Sequence, residues 1–225
     1  MPRPGALASA LALTVVLLPA PAEAAASRQH APSPGLCTGA FKNDARLGPR
    51  HLPRPWQRPV GPLLVGYHRT GHLTPGAFLA KYWQPEAPGR PAGWKYPPDD
   101  GFAKIKGRLD KNRHVLRPGT KLDRFGSEYG GFLAPAGDPY SKRALPPQNL
   151  VTRDAAHPCD YHRYRVTRAF TAWRGRIAAW FAQPGGGQQI KLDPALLDPG
   201  PGQRLNVQWL LTHKYLVDDN APAAR

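Results

Sequence analysis

The sequence predicts an α+β fold: a single compact domain with a small, mostly antiparallel sheet and a loop-rich N-terminal subdomain. Three observations predict it. Beyond Lys111, short segments of alternating or continuous apolar residues bounded by Gly and Pro read as strands, whereas helical patterning is confined to two short stretches. The chain carries 28 Pro and 23 Gly in 225 residues, and the Pro-rich part before residue 110 has almost no apolar period. Finally, 41% hydrophobic and 20% charged residues are ordinary for a globular protein and exclude a disordered tail or a fibrous repeat.

Residues 1–26 read as a secretory signal peptide. Arg3 supplies a positive start, Ala6 to Leu18 is uncharged and apolar, and Ala22-Glu23-Ala24 or Ala24-Ala25-Ala26 offers small residues for cleavage. That apolar run is too short for a comfortable membrane span, so no membrane span is expected and the destination is extracellular. Residues 27–110 form the extended and helical N-terminal subdomain. Pro62-Leu63-Leu64-Val65 suits a short buried strand, and Thr74-Pro75 opens a helix running to Trp83, with Thr as cap and Pro at the first helical position. Residues 84–101 return to loop, with Trp94, Tyr96 and Phe102 nearby as either an aromatic flap or packing residues. Residues 111–225 make the strand-rich remainder of the domain. Tyr164, Val166 and Phe170 alternate with polar residues, and Ile177 to Ala182 is a compact apolar run, so both read as strands. Asn206 caps a terminal helix with Val207, Leu210, Leu211 and Leu216 on one stripe, although Val207, Trp209 and Leu211 also fit a strand.

The formal net charge is +16, and cleavage after residue 26 removes one base and one acid, leaving it unchanged. Such a charge favours anionic partners and says nothing about fold. Two cysteines, Cys37 and Cys159, in an exported chain most simply make one disulfide. Two reactive thiols are the competing reading. His68 and His72 have helical metal spacing, but Gly71 interrupts them and no further ligand completes a shell, so no metal is expected. Asp218-Asp219-Asn220 is likewise too sparse in ligands for a cation site.

Three clusters combine backbone freedom with a planar donor or ring: Lys121 to Gly126 with Tyr129 to Leu133, Tyr140 to Pro147, and Gln183 to Gln189. Glycine admits a close backbone approach, Arg matches phosphate oxygens, and Phe or Tyr faces stack on flat heterocycles, so the three together describe a nucleotide pocket. Singly they are weak. Gly185-Gly186-Gly187 has no following Lys-Ser/Thr and is no P-loop.

In order along the chain stand Asp-Arg-Phe-Gly from Asp123, Gly-Gly-Phe-Leu-x-Pro around Phe132, Tyr-x-x-Arg-x-Leu-Pro-Pro from Tyr140, and Gln-Pro-Gly-Gly-Gly-x-Gln ending at Gln189. This ordered set resembles the NAD-glycohydrolase domain family of the tuberculosis necrotizing toxin, especially its secreted fungal surface members, most clearly over residues 117–190. The resemblance implies cleavage of the nicotinamide–ribose bond of NAD or NADP, taken as substrate with no cofactor, by a secreted toxin or competition factor with an inhibitor or immunity protein as partner. By motif position it implies Arg143 and Gln189 as the catalytic pair. Arg124, Phe125, Phe132, Tyr140, Gly186 and Gly187 are expected to bind substrate.

Arg143, helped by Arg124, would hold the diphosphate or ribose hydroxyls; Gln189 would orient the ribose and the attacking water; Phe132 and Phe125 would wall the rings. Asp123 is expected to hold Arg124 in place, and Glu128 is a further candidate for the pocket, against a surface ion pair. Two readings compete with hydrolysis of NAD. One is a secreted basic protein binding nucleic acid or cell surfaces, favoured by charge and by Trp and Tyr among Arg. The other is an ADP-ribosyltransferase using the same pocket.

Overall fold

Seven short strands form one sheet, and their sequence explains which side of it builds a core. In the computed structural model, which describes residues 35–220, these are β1 (Asn112–Leu116), β2 (Lys121–Phe125), β3 (Phe132–Pro135), β4 (Tyr161–Val166), β5 (Phe170–Arg176), β6 (Gln188–Lys191) and β7 (Leu216–Asp218). Their spatial order is β7-β4-β2-β3-β6-β5-β1, with every neighbouring pair antiparallel. The expected signal peptide at 1–26 lies outside the described residues.

Strand alternation sends Leu122, Leu133 and Ile190 to one face. There they pack with Tyr164 and Val166 beneath Val207 and Leu210 of helix α2 (Val207–Thr212). Asn206 starts that helix as expected, its side chain accepting a hydrogen bond from the Trp209 N–H. Leu216 does not share the stripe. Lys214 takes a left-handed φ of 59°, the chain turns, and Leu216 returns as the edge strand β7 beside Val166.

The opposite face is covered by the N-terminal layer. Phe125 and Tyr161 are register partners on β2 and β4 and pack with Tyr140, Leu63, Leu150 and the Cys37–Cys159 disulfide. The expected pairing of the two cysteines is formed, tying segments 122 residues apart. Helix α1 (Pro75–Tyr82) begins where Thr74 and Pro75 predict, with the Thr74 hydroxyl accepting from the Ala77 N–H. It buries Phe78 and Tyr82 in an aromatic cluster with Trp94 and Phe181.

Two expected strands are absent. Gly61–Leu64 is a single 3-10 turn in which Pro62 sits in the first turn, where its fixed φ suits a helical start. Ile177 to Ala182 is a loop that buries Ile177 and Phe181: Phe181 and Ala182 take left-handed φ of 48° and 54°, and Tyr82 accepts the Ala182 N–H. Trp180, Phe181 and Ala182 are drawn into the cluster around α1, while Ile177 makes a single bridge to Phe102 and faces the cleft. Among the described residues, no helix is long and apolar enough to cross a membrane.

Candidate active site

The face opposite α2 opens into a cleft of about 530 Å³ over strands β2, β3 and β6, within the range of sites that take small ligands. Its floor follows from register. Asp123 pairs with Ala134, and one step beyond the Ile190–Leu133 pair stands Gln189, so all three project to the face that Leu122, Leu133 and Ile190 leave. The small Ala134 side chain leaves room between its two polar neighbours. Tyr96, Pro97, Asp100 and Gly101 of the N-terminal part form one wall, and Phe132, Leu145 and Ile177 supply apolar surface.

Arg143 is the most constrained side chain here. It stands at the end of a 3-10 turn, Tyr140–Arg143, and its guanidinium is buried with Asp123 at 3% and 0% side-chain exposure. Nη1 and Nη2 donate to the two Asp123 oxygens, while Nε and Nη2 donate to the Asp138 carbonyl. Four of its five N–H groups are therefore engaged, and one on Nη1 is left for the cleft. Asp123 also accepts from the Tyr161 hydroxyl at 2.8 Å and the Gly137 N–H at 2.9 Å. Three of these four bonds fall on Oδ2 and one on Oδ1, and the carboxylate itself is fully buried. The expected pairing of Asp123 with Arg124 is thus replaced by Asp123 with Arg143, because adjacent strand residues project to opposite faces.

Arg124, out of phase with Asp123, reaches the cleft around the end of β2. Its Nε donates to the Gly126 and Ser127 carbonyls and its Nη1 to the Phe132 carbonyl. Three N–H groups remain free of protein acceptors, and among the described residues no acid lies within ion-pair distance. Burial lowers its proton affinity, against the opposing fields of Tyr164, Asp160, Tyr96 and Glu128, and an arginine remains a cation even so. Gly130 makes room for it, since a Cβ there would lie 2.0 Å from Nη2.

Gln189 is buried at 8% exposure, and its Nε2 donates at 3.0 Å to the Asp100 carbonyl. A backbone carbonyl can only accept, so this bond fixes the amide orientation and leaves Oε1, which has no protein donor, as an acceptor in the cleft. The Asp100 carbonyl is itself held in place. Asp99 and Asp100 adopt left-handed φ of 54° and 57°, and the Asp100 carboxylate bridges Lys191 at 2.7 Å and Lys111 at 3.4 Å.

Of the other expected binding residues, Phe132 and Phe125 line the cleft, Phe132 at its rim and Phe125 beneath Arg143, whose guanidinium lies 5.2 Å from its ring. Tyr140 does not line it. Fully buried, it packs edge-on against Phe125 and donates to the Pro146 carbonyl. Gly187 faces protein rather than cleft, and Gly186, exposed with open space beside it, does not line the cleft either. A Cβ on Gly187 would sit 2.8 Å from the Lys142 carbonyl, to which its N–H donates, and Gly186 donates to Ile177. This close approach brings the Arg143 turn against the strand of Gln189. Glu128 stands behind Arg124, accepting from the Tyr164 hydroxyl at 3.0 Å, and does not enter the cleft.

Residues that sequence reasoning did not single out are Asp138 and Tyr161, which lock Arg143 and Asp123, together with Asp100, Asn149 and Arg204 of the lining. Among the described residues, no group of three or more His, Cys, Asp or Glu is arranged to hold a metal ion.

Residues 115–218 match the family model described as Tuberculosis necrotizing toxin. Over 170 residues the chain is 45% identical to the conidial surface nicotinamide adenine dinucleotide glycohydrolase of Aspergillus fumigatus, covering 70% of this chain and 69% of that protein. The solved structure of tuberculosis necrotizing toxin complexed with its immunity factor is 20% identical, covers 64% of this chain and 71% of its own, and superposes with a TM-score of 0.48. At the identity and coverage of the Aspergillus protein the relationship is one of common descent, and the chain belongs to the tuberculosis necrotizing toxin family.

Proposed function

We propose that this protein is an NAD glycohydrolase that splits NAD with water into nicotinamide and ADP-ribose and needs no cofactor beyond its substrate. Residues 1–26 direct secretion, residues 111–225 carry the catalytic groups, and residues 27–110 add the wall from Tyr96 to Gly101. Extracellular or surface action accords with the surface protein of Aspergillus fumigatus and with the disulfide.

The chemistry asks little of an acid. In NAD the pyridinium nitrogen is already cationic, so the bond from ribose C1′ breaks with both electrons passing to that nitrogen and nicotinamide leaves neutral. What remains is an oxocarbenium-like ribosyl cation. A water oxygen bonds to C1′ and releases its proton to solvent. Such a transition state is favoured by acceptors and dipoles fixed beforehand around the sugar.

The observation that carries the reading is the Gln189 amide, whose Oε1 is held in the cleft as an acceptor with no protein donor. The lining carboxylates are neutralised, Asp123 by Arg143 and Asp100 by two lysines. Gln189 Oε1 therefore receives a ribose hydroxyl or the attacking water, and the remaining Arg143 N–H donates to the same sugar. Phe132 and Phe125 wall the rings, and Arg124 faces the phosphates. Incubation of the purified protein with NAD tests the proposal: nicotinamide and ADP-ribose should appear in equal amounts. Intact NAD after prolonged incubation would reject it.

A further inference from the structure

We infer that Arg204 is a second substrate-binding residue, which together with Arg124 takes the diphosphate of the dinucleotide; this rests on the function proposed above. Five charged residues line the cleft: Asp100, Asp123, Arg124, Arg143 and Arg204. Three of them are already matched, Asp123 with Arg143 and Asp100 with Lys111 and Lys191. Arg124 and Arg204 are left, and among the described residues neither has an acid within ion-pair distance. Two guanidinium cations on one cleft match the two negative charges of a diphosphate, whose oxygens accept their paired N–H groups.

The backbone explains how a residue 80 positions beyond Arg124 in the 225-residue chain comes to its side. Val207 donates its N–H to the Gly130 carbonyl at 3.0 Å and Gln208 donates to the Glu128 carbonyl at 2.9 Å. The segment leading into α2 is thereby stitched to the loop against which the Arg124 guanidinium lies, since Gly130 is the residue whose Cβ would strike it. On one flank of Arg204, the Gln203 side chain accepts from the Trp209 indole at 2.6 Å. On the other, Leu205 and Asn206 are buried. The base is thus anchored while the side chain is exposed and carries no hydrogen bond to the protein. An arginine serving only solubility has no need of such a mount.

Calorimetric binding of ADP and of adenosine to the full chain and to Arg204→Ala tests this, alongside NAD kinetics. Loss of one charge-assisted contact should weaken ADP binding about tenfold, leave adenosine binding within about twofold, and raise the KM for NAD about as much as it weakens ADP. Arg204→Lys should recover part of the loss. ADP affinity unchanged in Arg204→Ala, or ADP and adenosine weakened alike, would overturn the assignment. If the wild-type chain does not cleave NAD, the functional proposal fails, and the ADP and adenosine comparison still decides whether Arg204 reads phosphate.

Discussion

Removing Asp123 is the sharpest perturbation of the arrangement that holds Arg143. In Asp123→Ala, the Arg143 guanidinium stays buried at 3% exposure with only the Asp138 carbonyl as acceptor. The Tyr161 hydroxyl and Gly137 N–H lose their acceptor as well. Leaving one member of a buried ion pair uncompensated costs about 3–5 kcal/mol. For a domain of this size each kcal/mol is worth about 2–4 °C, so Tm should fall by roughly 10 °C, with the same loss visible in guanidinium unfolding. The cycle is completed by Asp123→Ala/Arg143→Met, which deletes both charges and should be more stable than Asp123→Ala by about 2 kcal/mol, because the stranded cation is gone. A single variant within about 1 kcal/mol of wild type, or a double variant no better than the single, would refute the reasoning.

Three further outcomes follow from the same geometry. Gly130→Ala should displace Arg124 and raise the KM for NAD about tenfold, the worth of one charged contact; Gly131→Ala, whose added carbon meets nothing nearer than Leu192 at 3.9 Å, should fall well short of that. Desolvation raises the Asp100 carboxyl, but hydrogen bonds and charge from Lys191 and Lys111 outweigh it and hold it below the ordinary carboxylate value. The bridge that steadies the Gln189 acceptor is therefore complete above about pH 4 and lost as pH falls through the lower folded value; turnover that instead fell between pH 7 and 6 would point to a histidine. Reducing Cys37–Cys159 opens a 122-residue separation, worth about 4–5 kcal/mol in the chain-entropy account; dithiothreitol should lower Tm by about 10 °C, and an unchanged Tm would contradict that.

What could be read along the chain was mostly local. Thr74-Pro75 and Asn206 announce their helices because a cap and the donors it satisfies lie within one turn. Ile177 to Ala182 misleads because an uninterrupted apolar run states burial without period, and the partners that claim it, Tyr82 and Trp94, come from far up the chain. The ordered motifs bring Arg143, Arg124, Phe132 and Gln189 to one cleft, yet not what each touches. Asp123 is the acid next to Arg124 in sequence, yet strand alternation sends the two to opposite faces of the sheet. Tyr140 and Gly187 serve the site through structure, Tyr140 by buttressing Phe125 and Gly187 by seating the Arg143 turn. Nothing near Arg204 marks it, and the Asp100 carbonyl that orients Gln189 is 89 residues away.

Turnover of NAD by Gln189→Ala, followed by nicotinamide release at saturating substrate and with unfolding measured on the same sample, bears most directly on the amide acceptor. A fold as stable as wild type to within about 1 kcal/mol, with kcat reduced about 10²–10³-fold as for loss of one preorganised polar group at a transition state, is the result the geometry requires. A well-folded Gln189→Ala protein releasing nicotinamide at the wild-type rate would contradict it.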